Sequence, residues 1–277
     1  MAPSSGQISL SYGATEVLLS VPEFGYQTDI KLPFDFIKLD SGSYNVRDEG
    51  TKYDKRSCKC SLILSPAEQA SLNTLLNSTA RGKSLILTLP SGSGFFPFGP
   101  DKGDTGVFTV VILLEGTPSI QSSPFKYFRC DLTIFNTGVY PAYSLPTQIP
   151  EGVFTIGTIS NCRMPQSLFE PAQSYGISVS FTESNRADFT DRGALFDSAA
   201  TKFVQQCNQS KCAALLNYLT NTIRSGAFSV TSADNFYMFG SDQGSSDTYT
   251  VRMTSNALVI KHPRYNEFEA SLELQKE

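Results

Sequence analysis

Phe96-Pro-Phe98-Gly99-Pro-Asp101-Lys-Gly103 recurs at an offset of 141 as Tyr237-Met-Phe239-Gly240-Ser-Asp242-Gln-Gly244, and Phe108-Thr109-Val110 continues the match as Tyr249-Thr250-Val251. Working outward, Asp48-Glu-Gly50-Thr-Lys-Tyr53-Asp54 matches Asp191-Arg-Gly193-Ala-Leu-Phe196-Asp197 at an offset of 143. Ser71 to Gly82 matches Leu215 to Gly226 at 144, with Leu72, Asn73, Leu75, Asn77 and Gly82 retained. Phe128, Leu132 and Ile134 sit opposite Phe268, Leu272 and Leu274 at 140. Blocks in one order whose offsets drift only from 144 to 140 imply a tandem duplication with small insertions in the loops. Between the copies, Pro141, Pro146 and Pro150 favour an extended connector and exclude a central strand. The expected organisation is a first copy over 1–140, a connector over 141–155 and a second copy over 156–277.

Within a copy, Lys59 to Leu64 reads as a strand after a charged turn. Ser65-Pro66-Ala67-Glu68 is a helix start, with Ser at the cap, Pro at the first helical position and Glu at the third. Leu72, Leu75 and Leu76 recur at helical spacing, and Arg81-Gly82 ends the helix. Strands are expected over Lys83–Leu89, Val107–Leu114 and Tyr127–Phe135, with a Gly-rich loop from Gly92 to Gly103. The fold class is mostly β (α+β), with two tandem sandwich or barrel domains, each with one short helix closing an open side.

The chain has 277 residues, 22 Lys+Arg and 26 Asp+Glu, giving a net charge of −4. No basic excess is available to neutralise a phosphate backbone, so an autonomous DNA or RNA binder is not expected. Residues 1–140 carry 12 bases and 13 acids, and residues 141–277 carry 10 and 13, so both copies share the acidic bias. The longest apolar run, Phe108 to Leu114, is strand-sized, so no membrane-spanning helix is expected. Met1-Ala-Pro-Ser-Ser-Gly does not resemble a secretory signal, which points to folding in a cytoplasm. Six cysteines are too sparse for a disulfide scaffold and are expected to be small buried hydrophobes.

No catalytic, cofactor-binding or metal-binding residue is expected. His262, the single histidine, lies in Lys261-His262-Pro263-Arg264 and reads as an exposed loop residue without a nucleophile beside it. Cys58 and Cys60 share one face of a strand, Cys207 and Cys212 lie five apart in an expected helix, and neither pair has zinc-knuckle spacing. Asp101, between Gly99 and Gly103, stands nearly alone, so its Phe-Gly-x-Asp-x-Gly element reads as a tight turn rather than a calcium or phosphate loop. Scattered carboxylates leave a glycosidase-like dyad open but unsupported.

The order of strands, one helix capping a sheet and a glycine-broken hairpin resembles the tube-type domain of phage tails, over about 20–135 and 170–275. Arg56 to Leu89 is the part most similar to minor tail and distal tail proteins. The resemblance implies a structural virion protein, not an enzyme, assembled in the host cytoplasm. It would form a ring at the tail tip or baseplate that continues the DNA-conducting lumen. The implied partners are copies of itself, as a pseudo-sixfold trimer or a hexamer, together with neighbouring tail tube and baseplate proteins; DNA is passing cargo. Gly25 to Gly50, and the equivalent Arg186 to Gly193, are the candidate hairpins for contacts between rings. A repeating tail tube protein is the nearest alternative. A carbohydrate-binding sandwich pair is the alternative of another class, disfavoured by the absence of Trp.

Overall fold

The computed structural model describes residues 6–32, 34–38, 44–48, 55–115, 119–122, 126–163, 165, 170–174, 177–181, 187–191, 198–231, 238–239 and 248–277. Its first half runs β1 (Gln7–Tyr12), β2 (Thr15–Ser20), β3 (Gln27–Lys31), β4 (Phe34–Lys38), β5 (Tyr44–Asp48) and β6 (Lys55–Leu64). Helix α1 (Pro66–Thr74) follows, then β7 (Leu85–Leu89), β8 (Gly106–Leu114), β9 (Ser119–Ser122) and β10 (Lys126–Asn136). The second half repeats this order as β11 (Phe154–Ile156), β12 (Ile159–Cys162), β13 (Glu170–Ser174), β14 (Ile177–Phe181), β15 (Ala187–Asp191) and β16 (Ser198–Cys207). Helix α2 (Gln209–Asn217), β17 (Phe228–Thr231), β18 (Thr248–Met253), β19 (Ala257–Arg264) and β20 (Glu267–Lys276) complete it. The fold is mostly β with two short helices, as expected.

The duplication extends to the pairings. β6 lies between β3 and β10 as β16 lies between β13 and β20. One edge of β10 is shared by β8 and β9, and the matching edge of β20 is shared by β18 and β19. β8 continues through β7 and β1 to β2, and β18 continues through β17 and β11 to β12. The hairpins β4–β5 and β14–β15 form separate two-stranded sheets. β4–β5 falls in the expected stretch Gly25 to Gly50, whereas of the second hairpin only β15 falls within Arg186 to Gly193 and β14 precedes it; Asp40 to Ser43, Gly50, Arg186 and Gly193 lie outside the described residues.

Helix α1 begins as its sequence dictates, because the Ser65 hydroxyl accepts from Glu68 N while the Glu68 carboxylate accepts from Ser65 N. Helix α2 uses Asn208, whose Oδ1 accepts from Lys211 N at 2.9 Å. The caps Ser65 and Asn208 stand at an offset of 143, so the offset of 144 read from the leucines does not hold at the start of the helix. The extra residue enters in the π-helical turn that ends each helix, Leu75–Thr79 in one and Tyr218–Ile223 in the other. Cys207 closes β16 instead of belonging to the helix, because Asn208 caps the helix after it. All six cysteines are free and buried.

The two halves share one sheet. β3 of the first half pairs with β19 of the second, joining Ala257–Lys261 antiparallel to Gln27–Lys31. Ile30, Leu32, Phe34 and Phe96 of the first half are packed in the core of the second, with Phe203, Leu258 and Phe268. The segment 137–152 has no regular structure, as its prolines dictate, but it is pinned. Ile149 N donates to Ser210 Oγ, Gln209 Nε2 donates to Tyr143 Oη, and Glu151 accepts from Asn208 N while pairing with Arg163. Gly103 has φ +82°, and a Cβ there would lie 2.3 Å from the Tyr143 ring. Gly103→Ala should therefore cost about 1–3 kcal/mol, read as a lower melting temperature, because both the backbone and the pinned connector resist it.

Candidate assembly edges and channel face

Eight strands form a continuous antiparallel band, β13-β16-β20-β19-β3-β6-β10-β9, with the seam between halves in its middle. Its register is readable from the seam bonds. His262 N donates to Tyr26 O and Leu32 N donates to Asn256 O, so the even-numbered residues of β3 turn their backbone groups to β19.

The ends of the band are the counterparts of the seam strands. β13 repeats β3 at an offset of 143, and β9 repeats β19 at 142, as their pairings with β16 and β6 and with β10 and β20 require. Among the described residues, β13 pairs only with β16 and β9 only with β10. The edge of β13 thus stands at one end of the molecule and the edge that would complement it at the other. Pro171 is the counterpart of Thr28, so its missing N–H falls on the open side of β13, where a proline is compatible with the pairing to β16.

Among the described residues one face of the band packs on the cores, and the other is mostly polar, with Ile63, Tyr127, Phe135 and Val259 among its charges and hydroxyls. It carries Lys31, Lys55, Lys59, Arg129, Lys202 and Lys261 beside Asp29, Asp131, Glu267, Glu269 and Glu273. These charges neighbour one another across strands and, for Arg129 and Asp131, along β10. Lys59 lies 3.2 Å from Asp29, Arg129 is 3.3 Å from Asp131, Lys202 is 3.1 Å from Glu273, and Lys261 stands opposite Glu269. The hydroxyl of Ser61, with Arg129, holds the Asp131 carboxyl below its ordinary pKa. The face is nearly balanced instead of acidic, with most bases beside an acid, although Lys31 and Lys55 stand opposite each other on β3 and β6.

His262 corrects the expectation of an exposed loop residue. It lies in β19, is 1% exposed, and stacks on Tyr26 with ring centroids 4.2 Å apart. Phe96 and Phe268 flank it, so two aromatic rings from each half meet at the seam. Burial lowers its pKa to about 3, keeping it neutral. Pro263 suggests a loop in the sequence, but β19 absorbs it at a register shift between Lys261 and Arg264.

The expected charged turn before Lys59 is also corrected. Arg56 belongs to β6 and is buried, and its guanidinium binds Asp101 through two bonds of 2.5 and 2.9 Å while donating to Phe98 O at 2.6 Å. Asp101 is thus the anchor of its Gly-rich turn as well as part of it. Sequence reasoning missed this pair because Arg56 has Ala199 as its counterpart, so the repeat gives no sign of it. The Cys58 and Cys60 side chains are buried on one strand face, and burial pushes the Cys58 and Cys207 thiols well up and Cys162 up to about 12. Among the described residues no cluster of His, Cys, Asp or Glu could hold a metal ion, and no helix is long and apolar enough to cross a membrane. Comparison of the chain with protein-family models and with curated proteins finds no match in either.

Proposed function

We propose that the chain is a structural virion protein of a bacteriophage tail, forming a ring at the tail tip or baseplate that continues the DNA-conducting lumen. The observation that carries this reading is the seam. One repeat already extends the sheet of the other through β3 and β19, and the same two strand types stand open at the opposite ends of the chain. A head-to-tail contact of that kind closes when the rotation per repeat divides a full turn, and three copies supply six repeats. Closure pairs β13 of one copy with β9 of the next and removes both sheet edges.

The polar face of the band becomes the channel wall in such a ring. Bases already neighboured by acids release few counterions on meeting a phosphate, so DNA slides past as cargo instead of binding. The work is mechanical and needs no bond-making step. Neighbouring tail tube and baseplate proteins are the partners above and below the ring, reached through the hairpins β4–β5 and β14–β15. Native mass spectrometry with negative-stain imaging tests the reading. A closed species of three copies with a central hole and sixfold outline is expected, whereas a chain that stays single at high concentration contradicts it.

A further inference from the structure

The two helices start alike and are covered unequally. With their caps Ser65 and Asn208 aligned, α1 buries only Leu72, whereas every residue of α2 from Ser210 to Leu216 is buried. Ala213 and Leu216, one turn apart on one side of α2, are both 0% exposed. The first half supplies part of this cover, since a Cβ on Gly99 would lie 3.1 Å from the Leu216 side chain. The counterparts on α1 are Ala70, which is exposed, and Asn73, which is half-buried.

We infer that the face of α1 around Ala70 and Asn73 is a docking surface for the second half of another copy of this chain. The occupant follows from the repeat. In the chain itself the neighbouring repeat on the far side of the seam reaches this helix face at Leu216, and for α1 that neighbour belongs to the next copy. The turn that covers α2 contains Phe96, Gly99 and Asp101, and its sequence returns in the second half as Tyr237, Gly240 and Asp242, which lie outside the described residues. Asn73 on α1, where α2 has Leu216, fits the two situations. A permanent contact within a chain is apolar, while a surface that meets water before assembly carries a polar residue.

This inference rests on the ring reading, and its test separates the two. Ala70→Arg places a bulky cation on an exposed helix position where the free chain tolerates it. Sedimentation of wild type and variant should show three-copy species for the wild type and an association constant at least tenfold weaker for Ala70→Arg, with an unchanged melting temperature of the single chain. Asn73→Leu should strengthen association. If the wild type assembles and both variants assemble identically to it, α1 is not the docking surface and the ring reading stands. If the wild type never assembles, both fall.

Discussion

Asp101→Asn should destabilise the chain by about 3–5 kcal/mol, because it removes the charge that compensates a guanidinium sealed from water. The substitution keeps the side-chain shape, so lost packing cannot account for the loss. Arg56 would keep its bond to Phe98 O and its place 5.7 Å from the Tyr140 ring, neither of which supplies a negative charge. The damage should spread to the second half through the Gly99 turn, whose Cβ position faces Leu216. Chemical denaturation measures the effect. A companion variant, Arg56→Met with Asp101→Leu, should recover most of the stability, since a well-packed apolar pair avoids the desolvation cost altogether. A loss below about 1 kcal/mol for Asp101→Asn would show that water reaches the pair.

Acid should open the seam. His262 has its pKa lowered to about 3, so the folded chain keeps it neutral while the unfolded chain takes up a proton below about 6.5. The sign is fixed by that order: stability is fully present above the unfolded pKa and declines as pH falls toward the folded one. At a pH of about 4.5, roughly two pH units below the unfolded pKa, the loss is about 3 kcal/mol. His262→Phe keeps a ring against Tyr26 and removes the proton site, giving up one 3.5 Å contact with Thr28 Oγ1. The variant should lose stability between about pH 6.5 and 4.5 more gently than the wild type, by one proton's worth of slope. Identical slopes would place the titration elsewhere.

What is local or repeated was legible in the sequence. Ser65-Pro66-Ala67-Glu68 contains a complete capping box, and strands β6, β7 and β8 alternate as pleated strands must. What escaped depends on contacts between distant segments. Nothing near Gln27 or Ala257 announces that these strands meet, because backbone pairing carries no side-chain signature when both partners alternate in the same way. The neutral His262 and the buried Arg56 follow from that union and from the Gly-rich turn, and each residue type is exposed more often than not. The hairpin β1–β2 carries a weaker mark, since only Gly13 at φ +60° signals its turn. The open edges become legible only once the pairings are known.

Ring closure through β13 and β9 has a direct test in the register of the seam. Lys261 pairs with Gln27, and the repeat carries these to Ser119 at an offset of 142 and to Glu170 at an offset of 143. The seam bonds make this a non-hydrogen-bonded pair, with Cα atoms about 4.5 Å apart, within reach of a disulfide. Mild oxidation of a Ser119→Cys/Glu170→Cys chain should give inter-copy disulfides that accumulate as a covalent species of three copies, while either single variant gives none. The six native thiols are buried and contribute no background. An absence of cross-links at concentrations where the wild type assembles, or a ladder that runs on past three copies, would contradict a ring closed by these edges.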